Sequence, residues 1–258
     1  ETRQEQTIEI NLEKTLNEQK VFYRDKLNLE IDEGEVISIW NKNYAEIKSE
    51  IEKYGYDEIM IVPDNLPEEE ILNQSLIETI EEAVSGRKKQ VAATYQGSNF
   101  KSGGSFAGVR NSYAPKYRLI LTHSIQNIED HAILKATRNK NVMWVTGMDV
   151  TEVNRRIASG EELPVNCEIE INGRKVKIEA EGESLEDYII QQRMHFDKTG
   201  EHMDAKNNSY ARLLKSFSGS RVVDSSWYPG GRQVSVDADD PGIADVGIGL
   251  RLSHSFSN

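Results

Sequence analysis

From residue 216 to 258 the chain contains no Lys, no Glu and no Met, although the preceding sequence is rich in Lys and Glu. All acids in this stretch are Asp, and Gly, Ser and Val are dense. The segment also alternates. In Val223-Asp224-Ser225-Ser226-Trp227-Tyr228, one strand face would carry Val223, Ser225 and Trp227, the other Asp224, Ser226 and Tyr228. Pro229-Gly230-Gly231 supplies a turn. In Val234-Ser235-Val236-Asp237-Ala238-Asp239, an inward set of Val234, Val236 and Ala238 opposes an outward set of Ser235, Asp237 and Asp239. A turn-rich loop over 241–245 leads to a final strand over 247–252. Pairing these strands predicts Trp227 and the valines below, and a solvent face of Asp, Ser and Tyr above. Such residues suit adaptable recognition: Tyr gives contact area at low entropic cost, and small polar residues give hydrogen bonds. An ordinary wet sheet face has the same alternation, so the missing Lys, Glu and Met are what favour binding.

The rest of the chain bounds the possibilities. It has 258 residues and a mass of 29.2 kDa, enough for one large or two small domains with a real core. A formal charge of -12 repels phosphate backbones and anionic lipid, so neither nucleic acid nor a membrane surface is an expected partner. No apolar run is long enough for membrane insertion, and no signal peptide is read. The single cysteine, Cys167, excludes an intrachain disulfide and reads as a small buried hydrophobe.

Short alternations at Thr7–Leu12, Leu27–Ile31 and Val36–Trp40 predict half-buried strands. Ile47, Ile51 and Tyr54 fall at helical spacing. Ile59-Met60-Ile61-Val62 predicts a buried strand ended by Pro63, and Asn65 a helix cap before Pro67. The glycines between Tyr95 and Pro115 predict a loop that lacks the spacing of a phosphate cradle. Interior strands are expected at 117–122 and 142–146, and a capped helix from Asp149 through Ile157. Asn172-Gly173 between alternating runs predicts a tight hairpin. Ser184 opens a helix with Leu185, Tyr188, Ile189 and Phe196 on one face, ending at Gly200.

Catalytic and metal signatures are missing. His123, His131, His195, His202 and His254 do not pair at metal-ligand spacing, and His195 and His202 are expected to face solvent at a helix end. There is no nucleophile elbow, and Cys167 has no clear His partner. The acids Asp237, Asp239, Asp240 and Asp245 lack the spacing and terminal Glu of a calcium loop. No cofactor, no metal and no enzymatic activity are expected.

Several motifs then carry a resemblance. The runs Ser184-Leu185-Glu186-Asp187-Tyr188, Gly200-Glu201-His202-Met203-Asp204, Gly219-Ser220-Arg221-Val222-Val223, Trp227-Tyr228-Pro229, Arg232-Gln233-Val234-Ser235-Val236 and Gly249-Leu250-Arg251-Leu252-Ser253 resemble the C-terminal part of variable proteins of diversity-generating retroelements, archaeal and archaeal-virus members above all. The likeness covers roughly the last third. It implies an α+β chain with a C-type lectin fold of the formylglycine-generating-enzyme type in the C-terminal part. It implies a lectin-like domain over 91–258 with a variable region over about 207–258; the strand and helix signals before it are read as a separate N-terminal α/β part over about 1–90, which the resemblance does not reach.

In that family an error-prone reverse transcriptase randomises template adenines. Asn codons then yield many residues, but never Lys, Glu, Gln, Met or Trp. The implied variable, ligand-binding positions are Asp224, Ser226, Tyr228, Gly230, Gly231, Ser235, Asp237, Asp239, Asp240, Ile243, Ala244, Asp245, Val246 and Ile248. Trp227 and Gln233 would be fixed scaffold. The resemblance implies a display protein for a protein or glycan ligand on a cell surface, carried on a virion or at the cell exterior. A structural component of a virus particle and an enzyme-derived lectin-fold protein are the alternatives.

Overall fold

The computed structural model describes residues 10–63, 93–96, 109–111, 117–125, 127–205, 209–228 and 233–258. The chain is mixed α+β with two sheets, and it divides into two compact units. One gathers residues up to 65 with 115–124 and 253–258, and the other holds 66–114 and 125–252. The expected boundary near residue 90 therefore gives way to a discontinuous division. The strand at 117–122 belongs to the first unit, together with 253–258 from the end of the chain.

In the first unit, α2 (Glu33–Tyr54) replaces the strand expected at 36–40, and no strand forms at 10–12 or 27–31, where α1 (Leu12–Leu27) begins and where it ends in the connection to α2. The local signals that win are caps. Asn11 accepts from the Lys14 amide at 2.9 Å, and Asp32 from the Glu35 amide at 3.2 Å. Asn28 and Gly55 close the two helices in the left-handed region. In the run Val36-Ile37-Ser38-Ile39, Val36 and Ile39 are fully buried while Ile37 is 42% exposed, which is helical periodicity.

Strands β1 (Glu58–Pro63), β2 (Ala93–Gln96), β3 (Val109–Asn111) and β4 (Tyr117–Thr122) follow in sequence. In the first unit β1 pairs antiparallel with β4, and β4 with the last strand of the chain, Leu252–Phe256. Polar groups of α1 satisfy the free edge of β1. Gln19 donates to the Ile59 carbonyl and accepts from the Ile61 amide, both at 2.7 Å, and the Tyr23 hydroxyl donates to the Ile61 carbonyl at 2.6 Å. An edge clamped by side chains offers no template for a foreign strand.

In the second unit, a 3-10 turn (Ile128–Asp130) precedes α3 (Ala132–Ala136), α4 (Val142–Thr146) and α5 (Val150–Ser159). The strand expected at 142–146 is helical because Asn141 caps it, accepting from the Trp144 amide at 2.9 Å, and Gly147 ends it at φ 68°. Asp149 caps α5 as expected. Strands β5 (Val165–Ile171) and β6 (Arg174–Gly182) form the expected hairpin, with Asn172 and Gly173 at φ 51° and 75°. Two successive positive φ values are the requirement that favours Asn-Gly there.

Helix α6 (Leu185–Thr199) opens on a capping box at Ser184 and Asp187 and ends at Gly200. It is buried on nearly every side, polar residues included, rather than along the one apolar face expected.

The large sheet runs in the order β10 (Ile248–Leu250), β7 (Tyr210–Ser218), β8 (Arg221–Tyr228), β9 (Gln233–Asp239), β2, with β3 also on β7. Strands β2 and β3 lie in the stretch expected to be loop. Their backbones are captured by sheet edges, β2 parallel to β9 and β3 antiparallel to the end of β7. The remaining residues of that stretch, and the helix expected after Asn65, lie outside the described residues. The final strand expected over 247–252 is two, β10 and β11 (Leu252–Phe256), broken at Arg251.

A three-residue slip in the β7–β8 register, between Leu213 and Phe217, locks β7 into its surroundings. There the Leu214 carbonyl accepts from the Leu163 amide at 3.0 Å and the Ser216 hydroxyl from the Leu185 amide at 2.8 Å. Gly182 is required beside it, since a Cβ at that position would lie 2.9 Å from the Leu214 Cβ.

Candidate functional site

Strand register gives the site its floor. Arg212 on β7 lies opposite Asp224 on β8, and Asp224 lies opposite Asp237 on β9. Ser226 opposes Ser235 on the same face. Asp239 follows Asp237 by two residues and so shares that face. The loop over 240–247 brings Asp245 close enough for its charge to act on both Arg212 and Asp224. The opposite face carries Val223, Trp227, Val234, Val236 and Ala238, all buried as expected. Trp227 stacks on His202 at 3.4 Å between ring centroids, and His202 stacks on Phe196 at 4.4 Å. His195 and His202 are therefore core residues, not solvent-facing ones, and burial, then Arg251, lowers the His195 pKa.

The alternation is correct, but the second face is not uniformly wet. Asp224 is only 2% exposed, and Ser226, Ser235 and Ile248 are also buried. The expectation that Asp224, Ser226 and Ser235 face solvent, with Ile248 flanking them, gives way to burial; beside Asp224 the loop over 240–247 is held to Arg212 through the Ile243 carbonyl. Asp237 and Asp239 are half-buried. Asp240, Ile243, Ala244, Asp245 and Val246 are exposed, Val246 at 70%. Gly230, Gly231 and the side chain of Tyr228 lie outside the described residues.

Electrostatically the floor is unsatisfied. Burial pushes the Asp224 carboxyl up to about 8, and the charge of Asp239 adds to this against the pull of Arg212. Asp239 is raised by burial and by Asp237 and Asp245, with Arg212 opposing. Arg212, also 2% exposed, spends its Nη1 on the carbonyls of Lys140 and Ile243, each at 3.2 Å. Its Nε and Nη2, and Asp224 Oδ2, have no hydrogen-bond partner among the described residues. Buried polar atoms left in this state are uncommon in native proteins and require a reason.

Three residues of this region were not singled out from sequence. Arg212 lies upstream of the segment with altered composition, and only strand register reveals it. Trp144, read as part of an interior strand, is 37% exposed, and Lys140 sits 4.7 Å from its ring centroid. Among the described residues no group of three or more His, Cys, Asp or Glu is placed to hold a metal ion. Cys167 is buried, which pushes its thiol up to about 11. No described helix is long and apolar enough to cross a membrane. No protein-family model, curated protein or solved structure matches the chain.

Proposed function

We propose that the chain is a non-enzymatic ligand-binding display protein, with its variable region, over about 207–258, rewritten by a diversity-generating retroelement. In this reading the second unit is a C-type lectin fold of the formylglycine-generating-enzyme type. Its ligand is a molecule on a cell surface, and the protein is displayed on a virion or at the cell exterior.

The observation that carries the reading is how the loop over 240–247 is held. Its anchors are backbone carbonyls: Pro241 accepts from the Val142 amide at 3.0 Å, Ile243 from Arg212, Asp245 from the Asn139 amide at 3.2 Å, and Gly247 from the Tyr210 amide at 2.8 Å. Asp240 and Asp245 add short turns, accepting from the Gly242 amide at 2.7 Å and the Gly247 amide at 2.6 Å, which Asn would also make. The side chains of Ile243, Ala244 and Val246 are exposed. A loop shaped by its main chain keeps its form while its side chains change. Every one of these side chains is reachable from an Asn codon by changing adenines.

The test has a genomic arm and a protein arm. A near-copy of the coding region should lie beside a reverse-transcriptase gene, reading Asn at most positions from 240 to 246 and matching the protein at Trp227, Gln233, Val234 and Val236. A library randomised at Ile243, Ala244 and Val246 should stay folded while ligand preference changes. A library in which most members unfold overturns the reading.

A further inference from the structure

We propose that Asp224, Asp237, Asp239 and Asp245 form a subsite for a cationic side chain, Lys or Arg, presented by a protein partner. The inference rests on the display reading and names the chemistry of its ligand.

Among the described residues the four acids outnumber the cations that act on them, Arg212 and Arg221. The charges of Asp224, Asp239 and Asp245 act on Arg212, and Arg221 acts on Asp239, yet Arg212 gives its hydrogen bonds to two backbone carbonyls rather than to the acids. Among the described residues Asp224 Oδ2 is a buried acceptor without a hydrogen-bond partner, on the face shared with Asp237 and Asp239. Exposure rises from floor to rim: Asp224 is buried, Asp237 and Asp239 half-buried, Asp245 exposed. A hydrogen-bonding cation on a slender stem matches this gradient, because its head reaches the desolvated carboxylate while its methylenes lie along exposed Ile243 and Val246. An anionic group would meet four acids at close range. Among the described residues no three acids are placed as ligands for a bare metal ion. Asp224 is largely protonated near neutral pH, so an arriving cation, by favouring its ionised form, expels a proton.

The experiment is calorimetry on the full chain near pH 7, with acetyl-Gly-Leu-Lys-Leu-Gly-amide, its Arg counterpart, and counterparts carrying norleucine or Glu instead of Lys. The Lys or Arg peptide should bind at least about tenfold more tightly than the norleucine peptide. Its enthalpy should differ between phosphate and Tris buffers, reporting release of a proton. Asp224→Asn should weaken it about fivefold or more and abolish the buffer dependence, with the native circular dichroism spectrum retained. The double variant Glu168→Gln and Glu170→Gln, which removes more charge from exposed positions on β5, should leave it unchanged.

No binding of either cationic peptide, equal binding of the norleucine peptide, or an equal loss in the β5 variant overturns the subsite. The randomised loop library separates the two readings. If its members still acquire ligands, only the cationic subsite falls; if they unfold, the display reading falls with it.

Discussion

The second unit contains two buried Arg–Asp pairs, and they are in opposite states. Asp204 is 1% exposed and receives a bidentate contact from Arg251, Nε to Oδ2 at 2.8 Å and Nη2 to Oδ1 at 3.1 Å. The Tyr188 hydroxyl donates to Oδ2 at 3.2 Å, and the Ile128 amide to Oδ1 at 3.3 Å. Arg251 also donates to the Ile125 carbonyl at 3.0 Å. Burial works against its charge, but Asp204 outweighs burial and the guanidinium pKa stays above its ordinary value. Gln192 extends the network, donating to the Met203 carbonyl at 3.0 Å and accepting from its amide at 2.7 Å. The Arg212–Asp224 pair is equally buried, yet among the described residues it leaves three polar atoms without hydrogen-bond partners. A buried ionic cluster that is fully hydrogen-bonded rigidifies its surroundings, whereas one left incomplete is destabilising on its own.

The largest expected effect is at the satisfied pair. Asp204→Asn leaves Arg251 buried without its counter-charge and should cost about 3–5 kcal/mol in urea denaturation. A loss below about 1 kcal/mol would erase the contrast. Trp227→Ala comes next, because it opens a cavity beneath the sheet and breaks the stack with His202, and should cost about 3 kcal/mol.

Asp224→Asn should behave differently, and with a definite pH dependence. The folded pKa of Asp224, about 8, lies above that of an unfolded Asp, so the native state holds the proton more tightly. Its contribution is fully present below the unfolded pKa, near 3.9, and is lost as pH rises toward about 8. Wild-type stability should therefore fall through this window by up to about 1.4 kcal/mol per pH unit from this group. The Asn variant should lack that component and gain relative to wild type as pH rises. Parallel stability profiles for the two proteins would contradict the assignment. Smallest of all, Val246→Ala at the exposed rim should stay within about 0.5 kcal/mol of wild type in thermal melts.

Legibility in the sequence followed how local each cause is. The Asn172-Gly173 hairpin and the Ser184 capping box were readable because a few adjacent residues impose the conformation. The faces of β8 and β9 were readable because alternation survives in any sheet. Val36–Trp40 and Val142–Thr146 misled through their β-branched, apolar runs, although Asp32 and Asn141 stood one position ahead of helix starts. The burial of Asp224 was not readable, since its cover comes from flanking strands and a loop that only tertiary structure assembles. Arg212 was hidden for the same reason: its partner across the ladder is twelve residues away, on the far side of a register slip.

The central claim is that Asp224 is a buried carboxyl with no hydrogen-bonded countercharge among the described residues, held ready for one. Its most direct test is a pH titration of the Asp224 side-chain carboxyl carbon by 13C NMR, in the folded protein without ligand. A midpoint near 8, moving to lower pH when the cationic peptide is added, is the result expected. A midpoint at or below about 4, the range of an ordinary solvated or salt-bridged aspartate, would contradict the account.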